Sequence, residues 1–519
     1  MKVDNIIIVG GGTAGWMTAT TFVRLFPNKK ITLIESPNIK TVGVGESTIG
    51  QLNQWLSLVK IESKDFMKSC NSTFKFNIRF NNFLDKNSGH YDYPFGNPEY
   101  VNTNEANLWY FKKIMNPSLK VTDYADSLYP VMAIVNNNKI YNNSDGRLGN
   151  FNFEKDVAYH FDATKFGLWL RDNVCVPEGL HHIKSEVKEI KTDDNGIKSL
   201  ELKNGDSIKG DLYIDCTGFK SILLEKTLGE EFISFEDILP NNSAWATHVD
   251  YTNKKEQMIT YAYCDAVSNG WIWTTPLWES IGTGYVYSDK YISDENALDE
   301  FKKYLTKNGH DITNCEFNKV PFRVGIHKRL FVKNVVAIGL SAGFIEPLES
   351  NGLLTIHEFL FYLSTIFTRD NINQFDKDTF NYSCRSIFRN WAEFVALHYA
   401  LSIRNDTPYW RDNMDRVYDK DVNDLLPTEY YGFRTAINNK IIDNRFPQNS
   451  GISCIATGMN WFPMSDNTLR YANKEKEYDY TPYLESIKAL DKRKKEWNDV
   501  VKDSPTLYEY LKKEIYSDN

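Results

Sequence analysis

The chain has 519 residues, of which 42% are hydrophobic and 25% charged, as in an ordinary globular protein with a large buried core. Its formal net charge of −8 argues against a nucleic-acid-binding protein, which needs a dense basic face. The sequence contains no apolar run of membrane-spanning length, and its seven cysteines are scattered without a CxxC pair. We therefore expect a cytoplasmic protein with reduced cysteines, no metal site and no membrane partner.

The first fifty residues predict a βαβ unit. A short apolar strand, NIIIVG, is followed by a helix over GGTAGWMTATTFVRLF and by a second strand, KITLIES. This alternation predicts a parallel sheet. Further strands are predicted at 211–219 and 333–344, and both end in glycine-containing turns, as strands do when a ligand lies at the carboxyl edge of a sheet. These stretches indicate one nucleotide-binding module assembled from separated parts of the chain.

Three glycines between the first strand and the helix form the pattern G-x-G-x-x-G. Gly10 allows a tight turn, Gly12 lets the backbone approach a pyrophosphate, and Gly15 lets helix and strand pack closely. The amino end of the helix then faces the phosphates, and Glu35 is placed to accept hydrogen bonds from a ribose. A far-downstream strand returns to the sheet, and no second fingerprint for NAD(P)H is present, so the pattern favours FAD.

The remaining segments alternate between extended and helical patterns. Residues 71–150 are rich in Tyr, Phe and Asn, which predicts extended structure and long loops, and 231–325 again alternate. Helical periodicity begins near residue 353 and continues to about 404, and residues 485–501 predict a charged, solvated helix.

Two charged residues have ordinary structural interpretations on pattern alone. Residues 74–81 alternate apolar and polar side chains, so Lys75 is expected to be an exposed strand lysine. Glu346 fits a carboxylate placed just ahead of a helix, where the helix dipole favours negative charge.

Several motifs, in order along the chain, resemble those of the flavin-dependent tryptophan halogenases. They are IVGGGTAGWMTA, VGVGESTIG, YHFDATKF, GWIWTTP, FRVGIHKR, GLSAGFIEPLESNGLL and RNDTPYW. The resemblance covers most of the chain and is much more specific for the family than for the substrate. It implies an α/β fold with a Rossmann-like FAD-binding module of the glutathione-reductase and flavin-monooxygenase type, an intimately joined substrate-binding lobe and a mostly helical C-terminal part.

The resemblance also implies a division into domains. The expected parts are a discontinuous FAD-binding module at 1–70, 155–230 and 325–370, a substrate and halogenation lobe at 71–154 and 231–324, and a mainly helical part at 371–519 that covers the substrate pocket.

The chemistry that the resemblance implies has two components. Reduced FAD, supplied by a separate flavin reductase, reacts with O2 to give a flavin hydroperoxide, which oxidises a halide ion to hypohalous acid. The acid travels through a tunnel to a small, electron-rich aromatic substrate. The choice among chloride, bromide and iodide stays open, and homo-oligomers are common in the family.

Lys75 and Glu349 match the catalytic pair of the family. The resemblance implies that the lysine directs the oxidant, a task for which an ammonium is suited because it donates hydrogen bonds and its amine form can accept a halogen. It implies that Glu349 takes up the ring proton or polarises the oxidant, with the assistance of Ser350. Asn351 and Gly352 match the halide seat beside the flavin.

The resemblance assigns further residues to the cofactor, the substrate and a separating wall. The cofactor-binding residues are Gly10, Gly12, Thr13, Ala14, Gly15, Glu35, Val44, Gly45, Glu46, Ser47, Gly339, Gly352 and Leu353. Those on the substrate side are Tyr93, Pro94, Phe95, Phe446 and Pro447. Those of the wall, which keeps the substrate away from the flavin, are Trp271, Trp273 and Pro276.

The substrate side departs from members that bind free tryptophan. Tyr93 stands where those members have a stacking histidine, and residues 443–456 lack the tyrosine pair that clamps the amino acid. Losing such fixed polar partners costs orders of magnitude in discrimination, so an indole or phenol fits better. A flavin-dependent monooxygenase of the same fold and a non-catalytic FAD-binding sensor are the alternatives. An NAD(P) dehydrogenase is weaker still, since no second module is present.

Overall fold

A computed structural model of the protein describes residues 1–39, 46–99, 105–141, 145–416, 450–461 and 479–517. The strands are β1 (Asn5–Val9), β2 (Lys30–Glu35), β3 (Glu46–Ser47), β4 (Thr73–Lys75), β5 (Asn77–Asn81), β6 (His90–Pro94), β7 (Arg147–Leu148), β8 (Phe151–Asn152), β9 (Ala158–Phe161), β10 (His181–Lys184), β11 (Val187–Asp193), β12 (Gly196–Leu202), β13 (Ser207–Ile208), β14 (Leu212–Asp215), β15 (Phe232–Ser234), β16 (Ser243–Val249), β17 (Tyr261–Val267), β18 (Gly270–Pro276), β19 (Ile281–Tyr287), β20 (Asn318–Pro321), β21 (Gly325–His327), β22 (Phe331–Val332), β23 (Val335–Ala337) and β24 (Gly343–Phe344).

The α-helices are α1 (Thr13–Leu25), α2 (Leu52–Leu58), α3 (Ser63–Met67), α4 (Glu105–Met115), α5 (Thr122–Leu128), α6 (Val131–Asn137), α7 (Phe153–Asp156), α8 (Ala163–Leu170), α9 (Lys254–Gln257), α10 (Asp294–Lys307), α11 (Leu354–Ile366), α12 (Gln374–Ala400), α13 (Pro408–Met414), α14 (Ser450–Gly458), α15 (Thr481–Val501) and α16 (Leu507–Glu514). A π-helical turn covers Arg171–Cys175, and 3₁₀ turns cover Gly218–Lys220, Gly339–Ser341 and Pro347–Glu349. In this part of the chain no helix is both long and apolar enough to cross a membrane.

A six-stranded sheet forms the first layer, in the order β10-β2-β1-β14-β23-β22. Its strands are parallel except for the β22–β23 pair, and Ile6 of β1 lies opposite Ile31 and Leu212. Helix α1 packs against β1 and β2. Four of the five residues of β1 are buried, as expected for a central parallel strand covered on both faces. The predicted βαβ unit and parallel sheet are confirmed.

A seven-stranded sheet forms the second layer, in the order β20-β16-β19-β18-β17-β5-β6. It is antiparallel except between β17 and β5. The strands of the first sheet come from residues inside the expected FAD-binding module, and those of the second come from the expected substrate lobe. The division into domains itself stays a prediction.

The expected helices at 353–404 and 485–501 are confirmed as α11, α12 and α15, and α12 begins with a capping box between Asn373 and Asp376. The expectation of extended structure and loops over 71–150 is wrong for 105–137, which form α4, α5 and α6. Aromatic and Asn-rich composition is a weak guide there, because tertiary packing overrides local propensity.

The expected exposure of Lys75 is also wrong. The side chain is completely buried, and the predicted single strand is divided at Phe76 into β4 and β5. Both faces of this segment are covered, since Lys75 and Asn77 are as inaccessible as Phe76 and Ile78. The seven cysteines all lie in the described part, carry free thiols and are buried except for Cys315.

Candidate active site

The glycine turn after β1 is shaped by close backbone contacts. Gly10 has φ +117°, and a Cβ there would lie 2.1 Å from the Cys216 carbonyl oxygen. A Cβ on Gly15 would lie 1.9 Å from the Gly10 carbonyl oxygen, so the first turn of α1 can pack on β1 only without a side chain. Gly15 therefore serves the packing of helix on strand.

A cavity of about 690 Å³ opens beside this turn, at the carboxyl ends of β1, β2 and β14. Its volume is that of a site for a large cofactor. Glu35 reaches it from the end of β2, where its Oε1 lies 2.8 Å from His182 Nε2. The predicted residues that line the cavity are Gly10, Gly12, Thr13, Ala14, Glu35, Trp273, Gly339, Asn351, Gly352 and Leu353.

The side chain of Asn351 indicates which kind of ligand the cavity can hold. The residue is 1% exposed, and neither its Oδ1 nor its Nδ2 has a hydrogen-bond partner among the described residues. A buried amide without partners is costly, and its place on the cavity wall means that a polar ligand can satisfy it. The glycine turn, the amino end of α1 and this amide together fit a flavin dinucleotide and a small anion.

Lys75 lies on β4 in a fully enclosed position. Its Nζ donates to the Thr48 carbonyl oxygen at 2.8 Å and to the Ser350 Oγ at 2.7 Å, and it lies 4.9 Å from the centre of the Phe95 ring. Burial lowers the pKa of the Lys75 ammonium to about 7, although the negative charge of Glu349 acts to raise it. The lysine is therefore poised to exchange a proton near neutral pH.

Ser350 joins the lysine to strand β3. Its Oγ also donates to Ser47 Oγ at 3.2 Å, and its backbone has φ +57°, a left-handed conformation that is uncommon for a residue with a Cβ. This turn follows Pro347–Glu349 and presents both Glu349 and Ser350 toward the same buried region as Lys75. Such strained backbone is frequent at functional sites.

Glu349 is completely buried and bonded to a histidine. Its Oε1 lies 2.6 Å from His398 Nε2, and His398 Nδ1 lies 2.5 Å from the Tyr91 hydroxyl. Burial raises the pKa of Glu349 well above its ordinary value, while Lys75 acts in the opposite direction. The structure thus brings Lys75, Glu349 and Ser350 together, although their catalytic roles stay predictions.

Glu346 is not the carboxylate at a helix start that its sequence position suggested. It is completely buried, and its Oε2 accepts hydrogen bonds from Trp271 Nε1 at 3.0 Å, Asn241 Nδ2 at 2.7 Å and the Tyr399 hydroxyl at 2.8 Å. It precedes a 3₁₀ turn without capping it. Its role is to join β18 to neighbouring elements.

The wall residues lie along β18. Trp273 borders the cavity, whereas Trp271 is buried against Glu346. The Pro276 carbonyl oxygen accepts a hydrogen bond from Thr73 Oγ1 at 2.6 Å, two residues before Lys75. The same strand therefore contacts both the cofactor-sized cavity and the segment that carries the lysine.

The expected substrate residues Tyr93, Pro94 and Phe95 lie on and just after β6. Lys75 Nζ lies over the Phe95 ring, and Tyr93 packs edge-on against Phe95 and Phe394. Phe394 on α12 was not predicted, because its spacing in an apolar helix gives no signal beyond core packing.

Some predicted residues are described only in part or not at all. Ser47 contacts Ser350, while Glu46 is described only through its backbone pairing with Phe161. Val44, Gly45, Phe446 and Pro447 lie outside the described residues.

His398 and Tyr91 were also not predicted. The helical pattern around His398 is that of a buried face, and a lone histidine in such a face indicates nothing specific. Only the three-dimensional structure places it against Glu349.

Comparison with known proteins identifies the family. The family model described as tryptophan halogenase matches residues 5–472. The chain is 31% identical over 491 residues to the tryptophan 6-halogenase ThaL of Streptomyces albogriseolus, covering 89% of this chain and 90% of that protein.

Solved structures agree with this assignment. The apo structure of VirX1 is 36% identical with a TM-score of 0.92, covering 99% of this chain and 100% of that one. Xcc4156, a flavin-dependent halogenase from Xanthomonas campestris, is 26% identical with a TM-score of 0.83, covering 99% of this chain and 98% of that one. The α/β fold with its helical C-terminal part is the fold of these enzymes. The chain belongs to the tryptophan halogenase family and is a flavin-dependent halogenase, an oxidoreductase that requires FADH2 and halide.

Proposed function

We propose that this enzyme halogenates a small, electron-rich aromatic compound, with Lys75 as the residue that directs the oxidant and Glu349 as the base. The observation that carries the proposal is the burial of Lys75, Ser350 and Glu349 in one region, with Lys75 Nζ bonded to Ser350. Burial lowers the pKa of Lys75 and raises the pKa of Glu349. Such opposite shifts in a neighbouring pair are typical of residues with acid and base roles.

The flavin cavity and the lysine region have different parts in this proposal. When bound in this cavity, reduced FAD from a separate flavin reductase would supply, with O2, the oxidising equivalent for the conversion of halide to hypohalous acid. The amide of Asn351 and the backbone of Gly352 offer polar contacts for an anion on the cavity wall. Trp273 borders the same cavity, and its part in this proposal is to keep the aromatic substrate away from the flavin.

Lys75 activates the oxidant in its ammonium form. Within the described part of the chain, Nζ has two acceptors, the Thr48 carbonyl and Ser350 Oγ, so a third N–H is left for the hypohalous oxygen. The halogen bonds to a ring carbon while its bond to oxygen breaks, and the oxygen leaves as water with a proton from Lys75. The ring then loses its proton to Glu349, which restores aromaticity. The proton returns from Glu349 to Lys75 before the next turnover.

An indole or a phenol, and not free tryptophan, is the substrate class that we propose. Tyr93 and Phe95 offer flat aromatic faces near Lys75, with Phe394 behind Tyr93. The relatives named as tryptophan halogenases make free tryptophan the natural comparison. We expect kcat/KM for 3-methylindole or a simple phenol to exceed that for tryptophan at least about tenfold.

The test supplies the protein with FAD, NADH, a flavin reductase and chloride, bromide or iodide in separate reactions. A panel of indoles, phenols and tryptophan is then analysed by mass spectrometry. Halide-dependent products support the proposal. Oxygen addition without halide shows a monooxygenase, and FAD binding without any product shows a non-catalytic flavoprotein.

Two variants test whether Lys75 and Glu349 take part in the reaction. Lys75→Ala should abolish halogenation while reduced flavin is still reoxidised, and Glu349→Gln should lower kcat by about 10²-fold or more. Lys188→Ala serves as the matched control, because Lys188 is an exposed lysine on β11. Normal halogenation by Lys75→Ala would remove Lys75 from the mechanism.

A further inference from the structure

Glu349 lies at the end of a chain of three buried polar side chains from three separate elements. Its Oε1 is 2.6 Å from His398 Nε2 on α12, and His398 Nδ1 is 2.5 Å from the Tyr91 hydroxyl on β6. The side chains of Glu349 and His398 are 0% exposed, and Tyr91 is 3% exposed. The proposed mechanism uses Glu349 but gives no role to the other two residues.

The donors and acceptors of Glu349, His398 and Tyr91 determine which nitrogen of His398 carries the proton. Burial lowers the pKa of His398 to about 3, so the imidazole is neutral and carries one N–H. If Glu349 is a carboxylate, Nε2–H must donate to Oε1, and Nδ1 must accept from the Tyr91 O–H. The reverse tautomer requires a protonated Glu349 and leaves the Tyr91 proton without an acceptor among the described residues. The first arrangement gives the imidazole N–H, the imidazole acceptor nitrogen and the Tyr91 O–H one partner each.

The imidazole is also held in its plane by neighbouring rings. Phe80 lies 4.3 Å from it between ring centres, and Phe83 lies 5.6 Å from it. These contacts prevent the ring from turning away from Glu349. The second carboxylate oxygen, Oε2, is buried and has no hydrogen-bond partner in the described part of the chain.

We propose that His398, with its tautomer fixed by Tyr91, is a positioning residue that donates Nε2–H to Oε1 of Glu349 and leaves Oε2 as the atom that takes the ring proton. The C–H bond of the halogenated ring breaks, its electron pair returns to the ring, and the proton forms an O–H bond with Oε2. His398 itself gains and loses no proton. This inference rests on the proposed function of Glu349 and deepens it.

The inference predicts a shift in the pH dependence of catalysis. The titratable groups that interact electrostatically with Glu349 are Lys75, Tyr91, Tyr93, Cys264 and Cys454. Burial raises the pKa of the tyrosines and cysteines in this set, so they stay neutral near pH 7. A donor to a carboxylate favours the charged form, and removing it raises the carboxylate pKa. Loss of the His398 donor should therefore move the acid limb of the kcat profile to higher pH.

Three variants separate positioning from packing. His398→Leu keeps the volume but removes the donor, and we expect kcat to fall about 10- to 100-fold with KM little changed. His398→Gln places an amide N–H near the position of Nε2 and should recover most of kcat and of the pH profile. Tyr91→Phe frees the tautomer and should lower kcat by about three- to tenfold. His181→Gln, at an exposed histidine on β10, is the control that keeps wild-type behaviour.

A measurement on the unaltered protein guards against misfolded variants. In ¹⁵N-histidine-labelled protein, the signals that vanish in His398→Gln should show a neutral Nε2–H tautomer at neutral pH. An imidazolium or an Nδ1–H tautomer would overturn the inference.

The outcomes distinguish the two proposals. If the wild type makes no halogenated product, the proposed function fails and the inference falls with it. If the wild type is active and Glu349→Gln is not, but His398→Leu keeps the wild-type kcat and pH profile, only the inference fails.

Discussion

Lys75 shows how burial changes the chemistry of a common side chain. The alternating pattern of its strand predicted exposure, whereas the structure encloses it completely and bonds Nζ to Thr48 and Ser350. Burial lowers its pKa from 10.5 to about 7, which corresponds to roughly 5 kcal/mol of destabilisation of the ammonium relative to a lysine in water. A buried cation of this kind costs stability, which agrees with the catalytic role that we propose for it.

We expect Lys75→Met to stabilise the protein in a pH-dependent manner. Between about pH 7 and 10.5 the unfolded chain holds one more proton at Lys75 than the folded protein, so wild-type stability rises with pH across this window. Methionine removes this dependence. The variant's advantage in urea unfolding should be largest near pH 7 and shrink toward pH 10, whereas Lys188→Met should show no such trend. A constant difference would contradict the lowered pKa of Lys75.

Asn351 offers a second prediction, because its buried amide has no partner in the described residues while that of Asn334 has two. Asn351→Leu should raise the stability of the flavin-free protein by about 1 kcal/mol and reduce the rise in Tm that FAD produces. Asn334→Leu should instead destabilise the protein, since it leaves the backbone of Ile197 unpaired. Differential scanning fluorimetry with and without FAD measures both effects. An undiminished FAD shift in Asn351→Leu would remove this amide from the cofactor site.

At the scale of elements, one carboxylate oxygen of Glu346 accepts hydrogen bonds from three separate parts of the fold. Trp271 on β18, Tyr399 on α12 and Asn241 from the segment before β16 all donate to its Oε2. Because Trp273 lies two residues after Trp271 and borders the cavity, this carboxylate also determines the position of the wall.

Two replacements of Glu346 should therefore lower stability by different amounts. Glu346→Gln retains an acceptor oxygen for the three donors and should cost about 1 kcal/mol. Glu346→Leu leaves three buried donors without an acceptor and should cost about 3–5 kcal/mol in urea unfolding. Equal losses for both variants would mean that only the volume of the side chain matters.

Helices, strands and turns were predictable from the sequence where neighbouring residues alone determine the structure. The glycine turn, the βαβ unit and the long helices follow from backbone sterics and periodicity. Motif resemblance singled out Lys75 and Glu349, which the structure buries in one region, and their catalytic roles stay predictions. The burial of Lys75 did not follow, because period-two alternation indicates faces without saying whether both are covered. Helices α4 to α6 and the contact of His398 with Glu349 depend on packing between distant segments.

Across the whole molecule, distant segments converge behind the lysine strand. The Tyr516 hydroxyl, beyond α16, shares its one hydrogen between the carbonyl oxygens of Ser72 at 2.9 Å and Met67 at 3.1 Å. Its ring stacks on Trp278 with centres 4.0 Å apart, and the Trp278 backbone N–H donates to the Asn71 carbonyl oxygen at 2.9 Å. Residues separated by more than 400 positions thus support the start of β4.

We expect Tyr516→Ala to weaken catalysis although Tyr516 contacts none of the proposed catalytic residues. The change removes both the stacking and the shared hydrogen bond, which should cost about 1–3 kcal/mol and loosen residues 70–75. Since a small displacement of a catalytic group lowers kcat strongly, halogenation should fall by about tenfold. Tyr516→Phe keeps the stacking and should lose much less stability and much less halogenation activity. Hydrogen exchange of the 67–76 backbone, measured beside kcat, tests the link: unchanged exchange with lowered kcat would mean that Tyr516 acts on the site by another route.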